Sequence, residues 1–498
     1  MTDRAYQSVI DDTVTNSKSV MVCGARNCGK TALSRRLANA YLTGPSTSNQ
    51  PKFGRSVLYL DLDPSTPEFT LHGQLSLVLL KEVTLGPSFT HPSPVPCGRK
   101  DINELIRAHP FPYRDFYQYS SYFYACARDL METARSMQPK GSLPIPIVIN
   151  TPSWTSFSGL DYLTKLIHGL FVSRIIYIDG GKVSEGSFSV LEEEEKQALT
   201  AACETLPPNP FSNRTVFRLL PTQIDTPHSS HEDGIQRSMQ MISYFHCTGI
   251  TMENPPCRKY DPRPLSFAKP WILRYDSRGA DKDGCIGFLM LGDSILSDSI
   301  GDVLNTSLVQ IIETNDPATL DRYGNLPRSA NCGFPYFPRE SDDAVKLPDP
   351  KSSKLLLTAL IRAWDGEGKS LLLLVPESHR SVVAQLDPKR IIIVFGCCDH
   401  PEWALTEDPN WDAAQRLQDL EDAGLSEADS QGVGHRNKRV RFGEDTVMDM
   451  DDANNVQDRI AMQDVASDVE IPPWVLTEEQ LVPYRHLNVP RRTRRFHQ

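Results

Sequence analysis

Over the first 230 or so positions, short β-branched runs alternate with stretches of helical period, the pattern of a parallel α/β sheet. "SVMVC" reads as a strand running into a glycine loop, and "ALSRRLANAYL" follows as a helix with Leu33, Leu37 and Tyr41 on one face at i, i+4 and i+8. "SVLYLDLD" is a second buried strand that ends in acids. "IPIVINT" and "RIIYID" read as two more, separated by the helix-like "GLDYLTKLIHGLF". From about residue 265 the pattern changes to short strands and turns, as in "IGFLMLGD" and "LVQIIET", which predicts a smaller β-rich domain. Residues 408–470 are polar, acidic and poor in apolar periodicity, and read as a disordered linker. The expected division is an α/β domain over 1–250, a β-rich domain over 251–407, the linker over 408–470 and a basic tail over 471–498.

Composition narrows the class. The chain has 498 residues, 39% hydrophobic and 23% charged, enough for two or three globular cores. No apolar run reaches the roughly 18 residues needed to span a bilayer, so no membrane partner is expected. The eleven cysteines form no CxxC pair, which favours reduced thiols in the cytosol or nucleus over a disulfide framework. The net charge of −11 is segregated. Acid gathers in "LEEEEK" and "GEDTVMDMDD", and base in the terminal "RRTRRFHQ". An acidic total does not exclude nucleic acid, which needs only a local basic groove.

The candidate chemistry begins at Gly24. Gly24, Ala25, Arg26, Asn27, Cys28, Gly29, Lys30 and Thr31 complete G-x-x-x-x-G-K-[ST] without a mismatch. The glycines let successive N–H groups converge on one anion, and the helix behind adds its positive end. Lys30 would neutralise the β- and γ-phosphates, and the Thr31 hydroxyl would ligate Mg²⁺. The sequence therefore predicts a P-loop NTPase sheet, parallel with helices on both faces, that binds a nucleoside triphosphate. Asp61 and Asp63 close the next strand in "LYLDLDPSTPEF", where a carboxylate can reach the metal or a hydroxyl that must lose a proton.

In order along the chain, "GARNCGKTALSRRLANAYL", "VLYLDLDPSTPEFTLHGQLSL", "LGPSFTHP", "YFYACARDL", "INTPSW", "MQMISYFH" and "PEWALTED" resemble one family, the polynucleotide 5′-hydroxyl kinases. The likeness is to their fungal nucleolar branch, which acts in pre-ribosomal RNA processing. It covers most of residues 19–405. The resemblance implies transfer of the γ-phosphate of ATP, with Mg²⁺, to the 5′-hydroxyl of RNA, an endonuclease partner, and residence in the nucleus and nucleolus. By position it implies that Lys30 and Thr31 hold phosphates and Mg²⁺, and that Asp63 activates the 5′-hydroxyl with Asp61 in support, both near the metal. It makes Thr151 and Trp154 a clasp on the phosphate and strand end, and Arg237 a lid cation for the transition state.

The departures from that family count equally. Its Gly-Gln after "DLDP" is Ser65-Thr66 here, the clasp glycine is Ser153, and of two lid arginines only Arg237 stands in place, with Arg214 and Arg218 as possible substitutes. One lost donor would cost about 2–4 kcal/mol of transition-state stabilisation. A catalytically weakened nucleotide-binding scaffold for the endonuclease is therefore the alternative expectation. The family usually carries a β-rich domain before its loop, whereas about eighteen residues precede the first strand here. Between Arg99 and Arg128, bases and aromatics interleave: Arg99, Lys100, Arg107 and Arg114 could track phosphates while Phe111, Tyr113, Phe116 and Tyr117 stack on bases, or the aromatics could pack the core.

Overall fold

The computed structural model describes residues 4–44, 56–153, 157–179, 193–204, 215–221, 230–251, 253, 256–275, 284–292, 295–330, 333–339, 347–365 and 369–422. The basic tail and most of the span read as linker lie outside these residues.

Strands β1 (Ser19–Gly24), β2 (Val57–Asp61), β3 (Gln74–Leu80), β4 (Glu104–Pro110), β5 (Ile147–Asn150), β6 (Arg174–Asp179) and β7 (Val216–Pro221) form one sheet in the order β4-β3-β2-β5-β1-β6-β7. β2, β5, β1, β6 and β7 run parallel, as the pattern predicts. β3 and β4 run antiparallel at one edge of this mainly parallel sheet. A parallel return needs a crossover, usually helical, and no helix occupies the link between Asp61 and Gln74.

Alternation along the strands splits the core between two faces. Val20, Val22, Tyr59, Val148 and Ile176 face helices α1 (Arg4–Asn16) and α2 (Lys30–Thr43), where Leu33, Leu37 and Tyr41 are buried as predicted. Met21, Leu58, Leu60, Ile149 and Ile175 face the opposite way, toward α3 (Ser120–Ser136), α4 (Phe157–Leu170) and α5 (Glu193–Glu204). Each fully buried Leu or Val contributes about 1.5–3 kcal/mol, so these two layers fix the sheet.

The β-rich part follows α6 (Ser230–Phe245). A small pair, β8 (Cys247–Ile250) and β9 (Arg258–Tyr260), leads into β10 (Trp271–Arg274), β11 (Gly287–Met290), β12 (Leu308–Thr314), β13 (Ser353–Asp365), β14 (Ser370–Leu374) and β15 (Ile391–Phe395). These last six form a sheet in the order β10-β14-β13-β12-β15-β11, antiparallel except between β11 and β15. One face carries Leu289, Ile312, Ile392 and Val394 into the same core as α3. The other closes over Phe288, Val309, Ile311 and Ile393.

Both sheets lie within one unit, Met1–Ala423. Gly73, at φ +77, sits so close to this second sheet that a Cβ would lie 2.2 Å from the Cys397 carbonyl oxygen. The Gly73 carbonyl in turn accepts from Gln310 Nε2 at 3.0 Å. A helix over Glu407–Asp422 corrects the first residues of the expected linker. Glu407 anchors it by accepting from the Leu265 amide at 2.9 Å and pairing with His246 at 2.8 Å. That long-range anchoring leaves no trace in local composition.

Candidate active site

The loop between β1 and α2 follows from its glycines. Gly24 (φ +147) and Gly29 (φ +95) take conformations that L side chains rarely adopt, and a Cβ on Gly24 would meet the Ile178 carbonyl oxygen at 2.4 Å. Asn27 (φ +58) also occupies the left-handed region, which asparagine tolerates. The turn leaves Lys30 at the first residue of α2, 5% exposed. Its ammonium donates to the Ala25 carbonyl at 2.8 Å and to Ser153 Oγ at 2.6 Å. Both acceptors are neutral, and among the described residues no carboxylate pairs with Lys30. A buried cation so placed is incompletely compensated and favours an anion beside it.

Lys30 opens on a cavity of about 780 Å³ that also contains Arg26, Thr31, Asp63, Arg114 and Arg237. Parallel pairing explains the first half of this set. β1 and β2 both flank β5, with Val22 opposite Asn150 and Asp61 opposite Asn150, so the ends of three strands meet at one edge. Ligand crevices of open α/β sheets form at such carboxyl ends.

The two acids separate there. Asp63 lines the cavity, where Ser65 donates to Oδ1 through its amide at 3.1 Å and its hydroxyl at 2.6 Å. Asp61 is fully buried and its oxygens accept from the Glu68 amide at 2.8 Å, Asn150 Nδ2 at 2.9 Å and the Asp63 amide at 3.3 Å. Burial raises its carboxyl to about 7, against the N–H donors that pull it down. The metal-ligand expectation for Asp61 is corrected: its oxygens are taken within the fold. Asn150 Nδ2 also lies 3.5 Å from Thr31 Oγ1, so Asp61 acts on the loop through Asn150.

The clasp expectation divides. Thr151 is buried and donates its hydroxyl to the Val22 carbonyl at 2.9 Å, away from the cavity, which corrects its expected phosphate contact. Trp154 lies outside the described residues. Ser153, noted only as a departure, is the residue of that segment that reaches Lys30.

Helix α6 forms the cavity's other wall through Asp233, Gln236, Arg237 and Gln240, spaced for one helical face. Asp233 pairs with Arg26 at 2.7 Å, and Gln240 Nε2 donates to the carbonyls of Pro67 and Thr70 at 3.2 and 2.8 Å. Arg237 donates from Nε to Asp399 Oδ2 at 2.8 Å. Arg218 lies exposed on β7 and Arg214 outside the described residues, so neither is seen to stand in for a second lid arginine.

Sequence reasoning missed three supports. Glu68 is buried and joins Arg35 at 3.0 Å to His91 at 3.1 Å, tying "DPSTPEF" to "GPSFTHP". Asn150 ends a strand, and only its strand-end position could have singled it out. Asp399 comes from the turn after β15, and no local signal marks it. Of the aromatics that could stack on bases or pack the core, Phe111 is fully buried in the core, whereas Tyr113, Phe116 and Tyr117 line the cavity. Arg107 is likewise held inside, by Asp129 at 2.5 Å and the Pro350 carbonyl at 2.6 Å, and is not placed to track phosphates. Arg99 is engaged by Asp101 and the Thr251 carbonyl.

Residues 24–202 match the family described as mRNA cleavage and polyadenylation factor CLP1 P-loop. The chain is 30% identical over 413 residues to a polynucleotide 5′-hydroxyl-kinase GRC3 of Gibberella zeae, an alignment covering 79% of this chain and 51% of the relative. It is 29% identical over 434 residues to the enzyme of that name in Aspergillus terreus, covering 78% and 50%. The chain thus spans about half the length of these curated relatives. A solved structure of a wild-type Clp1p–Pcf11p complex is similar at 15% identity over 79% of this chain and 78% of that one, with a TM-score of 0.49. Over most of its length the chain is similar to fungal proteins named polynucleotide 5′-hydroxyl-kinase GRC3, and its loop region matches the CLP1 P-loop model.

Proposed function

We propose that this chain is a polynucleotide 5′-hydroxyl kinase that takes the γ-phosphate of ATP, with Mg²⁺, and places it on the 5′-hydroxyl of RNA. One observation carries the reading: Lys30, Asp63 and Arg237 line a single cavity. The donor set fits the ligands, since a glycine cradle surrounds a buried ammonium with no carboxylate partner among the described residues, and Thr31 with Asp63 offers oxygens to a hard cation. Bound ATP would supply the γ-phosphoryl group, with ADP as the leaving group.

The protein's part is positioning and charge. Lys30 and the loop amides hold the phosphate tail. Asp63 accepts the proton of the 5′-hydroxyl as that oxygen bonds to phosphorus and the bond to the β-phosphate oxygen breaks. Arg237 offsets charge on the transferring group. To act as base, Asp63 must share or release its bonds from Ser65.

We also propose a place in pre-ribosomal RNA processing beside an endonuclease, in the nucleolus. The relatives' names support the kinase half, and the basic "HRNKRVRF" suits nuclear import. The alternative is a nucleotide-binding scaffold with weakened chemistry, which Ser65 against Asp63 and Ser153 against Lys30 favour. Transfer of labelled γ-phosphate to a 5′-hydroxyl oligoribonucleotide, with and without co-expressed endonuclease, decides. Nucleotide binding without transfer under either condition removes the kinase reading and leaves the scaffold.

A further inference from the structure

The turn after β15 brings one carboxylate from the six-stranded sheet to the cavity's rim. Asp399 Oδ2 accepts from Arg237 Nε at 2.8 Å, and Oδ1 accepts from Arg114 Nη2 at 2.5 Å and from the Tyr113 hydroxyl. Its backbone amide donates to His72 Nε2 at 2.9 Å, which fixes the turn against the segment before β3. Both guanidinium carbons sit against the Tyr113 ring, at 5.8 Å for Arg237 and 5.9 Å for Arg114. Two arginines far apart in sequence are thus held by one carboxylate and one ring, and both line the cavity with Lys30 and Asp63.

Like charges placed this closely repel unless something negative lies between or before them. Asp399 supplies one such charge, but each guanidinium carries five N–H donors and commits only one to it. Burial alone would raise the Asp399 carboxyl; the Tyr113 hydroxyl, His72 and the two guanidiniums outweigh it and hold the group at about 2. The carboxylate is therefore ionised wherever the protein is folded near neutral pH. Arg114 Nε also donates to the Tyr113 hydroxyl at 3.4 Å; the other donors have no acceptor among the described residues, which leaves them to an anion in the cavity.

We propose that Arg114 supplies the second guanidinium of the transfer site, and that Asp399 is a positioning residue that aligns Arg114 and Arg237 as a pair toward phosphates on the glycine loop. The proposal rests on the kinase reading for the reaction it serves. It accounts for the lone lid arginine of this sequence, because the missing cation arrives from the 3-10 turn Tyr113–Asp115 and not from α6. An ordinary surface ion pair would contribute little, and only to stability.

The test compares Arg114→Ala, Arg114→Lys, Asp399→Asn and the double variant Arg114→Ala with Asp399→Asn. Two readouts are taken: steady-state transfer from ATP to a 5′-hydroxyl oligoribonucleotide, and calorimetric binding of ADP with magnesium, alone and with aluminium fluoride, which mimics the phosphoryl group in flight. Arg114→Ala should lower kcat by about 10–100-fold with the KM for ATP nearly unchanged, as expected for a donor used only in the transition state. It should also abolish most of the extra affinity that fluoride confers, while ADP alone binds as before. Arg114→Lys should recover only part of either, since a point charge lacks the planar fork.

Asp399→Asn should fall in kcat to a similar degree, and the double variant should be no worse than the more severe single, because both act on one unit. Arg114 is largely exposed, so its variants report on function even if Asp399→Asn melts early. Arg114→Ala with wild-type kcat and wild-type fluoride enhancement overturns the pair. A wild type that shows Arg114-dependent fluoride binding but no transfer overturns the kinase reading and keeps the pair. A wild type with neither overturns both.

Discussion

Lys30, Asp63 and Ser153 stand at or just beyond the ends of β1, β2 and β5, whereas Asp399 reaches the cavity's Arg237 and Arg114 from the far sheet. The first group assembles by strand pairing: once β1 and β2 flank β5 in parallel, their carboxyl ends share an edge. The second depends on how the two sheets dock, through Gly73 against Cys397, Gln310 on the Gly73 carbonyl and Gln74 on Thr358 at 3.0 Å. Phosphate grip and arginine placement are therefore separable. Damage to strand ends should remove the nucleotide, while damage to docking should leave it bound and misplace the cations.

The largest effect should come from Lys30→Ala, which removes the buried ammonium: phosphoryl transfer falls by on the order of 10³-fold or more, and triphosphate affinity falls with it. Retention of transfer within tenfold would break the first half of the comparison. Asp63→Asn should lower transfer by about 10²–10⁴-fold, the range for a general base, with ATP binding retained in calorimetry. An equal loss of binding would make Asp63 a structural acid.

Gly73→Val probes the docking side. A side chain there meets the Cys397 carbonyl at a left-handed φ, so unfolding in urea should show a loss of about 2–4 kcal/mol. An unchanged midpoint would show that the sheets are not seated through this contact. The smallest effect is a pH dependence. Asp61 keeps its proton up to about 7 when folded, against a usual value of 3.8. Between those values the folded state binds more protons, so this group's stabilisation is present below 3.8 and lost as pH rises through about 7. The melting temperature of the wild type should therefore drop more steeply from pH 5 to 7.5 than that of Asp61→Asn, and parallel curves would refute it.

Periodicity carried the strands and helices that pack on their immediate neighbours. α2 and its buried Leu33, Leu37 and Tyr41 were legible because one apolar stripe can only face a sheet. The helix Arg4–Asn16 was not foreseen, although Tyr6, Ile10 and Val14 lie at a spacing of four and are buried against α2. Thr151 shows the other kind of failure. Its place in the clasp segment suggested a phosphate contact, but which way a hydroxyl points depends on the strand beside it, here the Val22 carbonyl. Phe111 and Arg107 read as a nucleic-acid surface because a strand of mixed polarity looks the same whether a second sheet covers it or not.

The chain's own order of residues determined the phosphate loop, the acids after the second strand and the sheet that carries them, since each is set by glycine conformation, apolar period and neighbours within a few turns. Only the tertiary structure decided that Asp61 turns inward while Asp63 faces the cavity, and that Asp399 gathers Arg114 and Arg237. Those placements depend on contacts between segments up to 286 positions apart, and no local pattern encodes which distant group will be there to meet them.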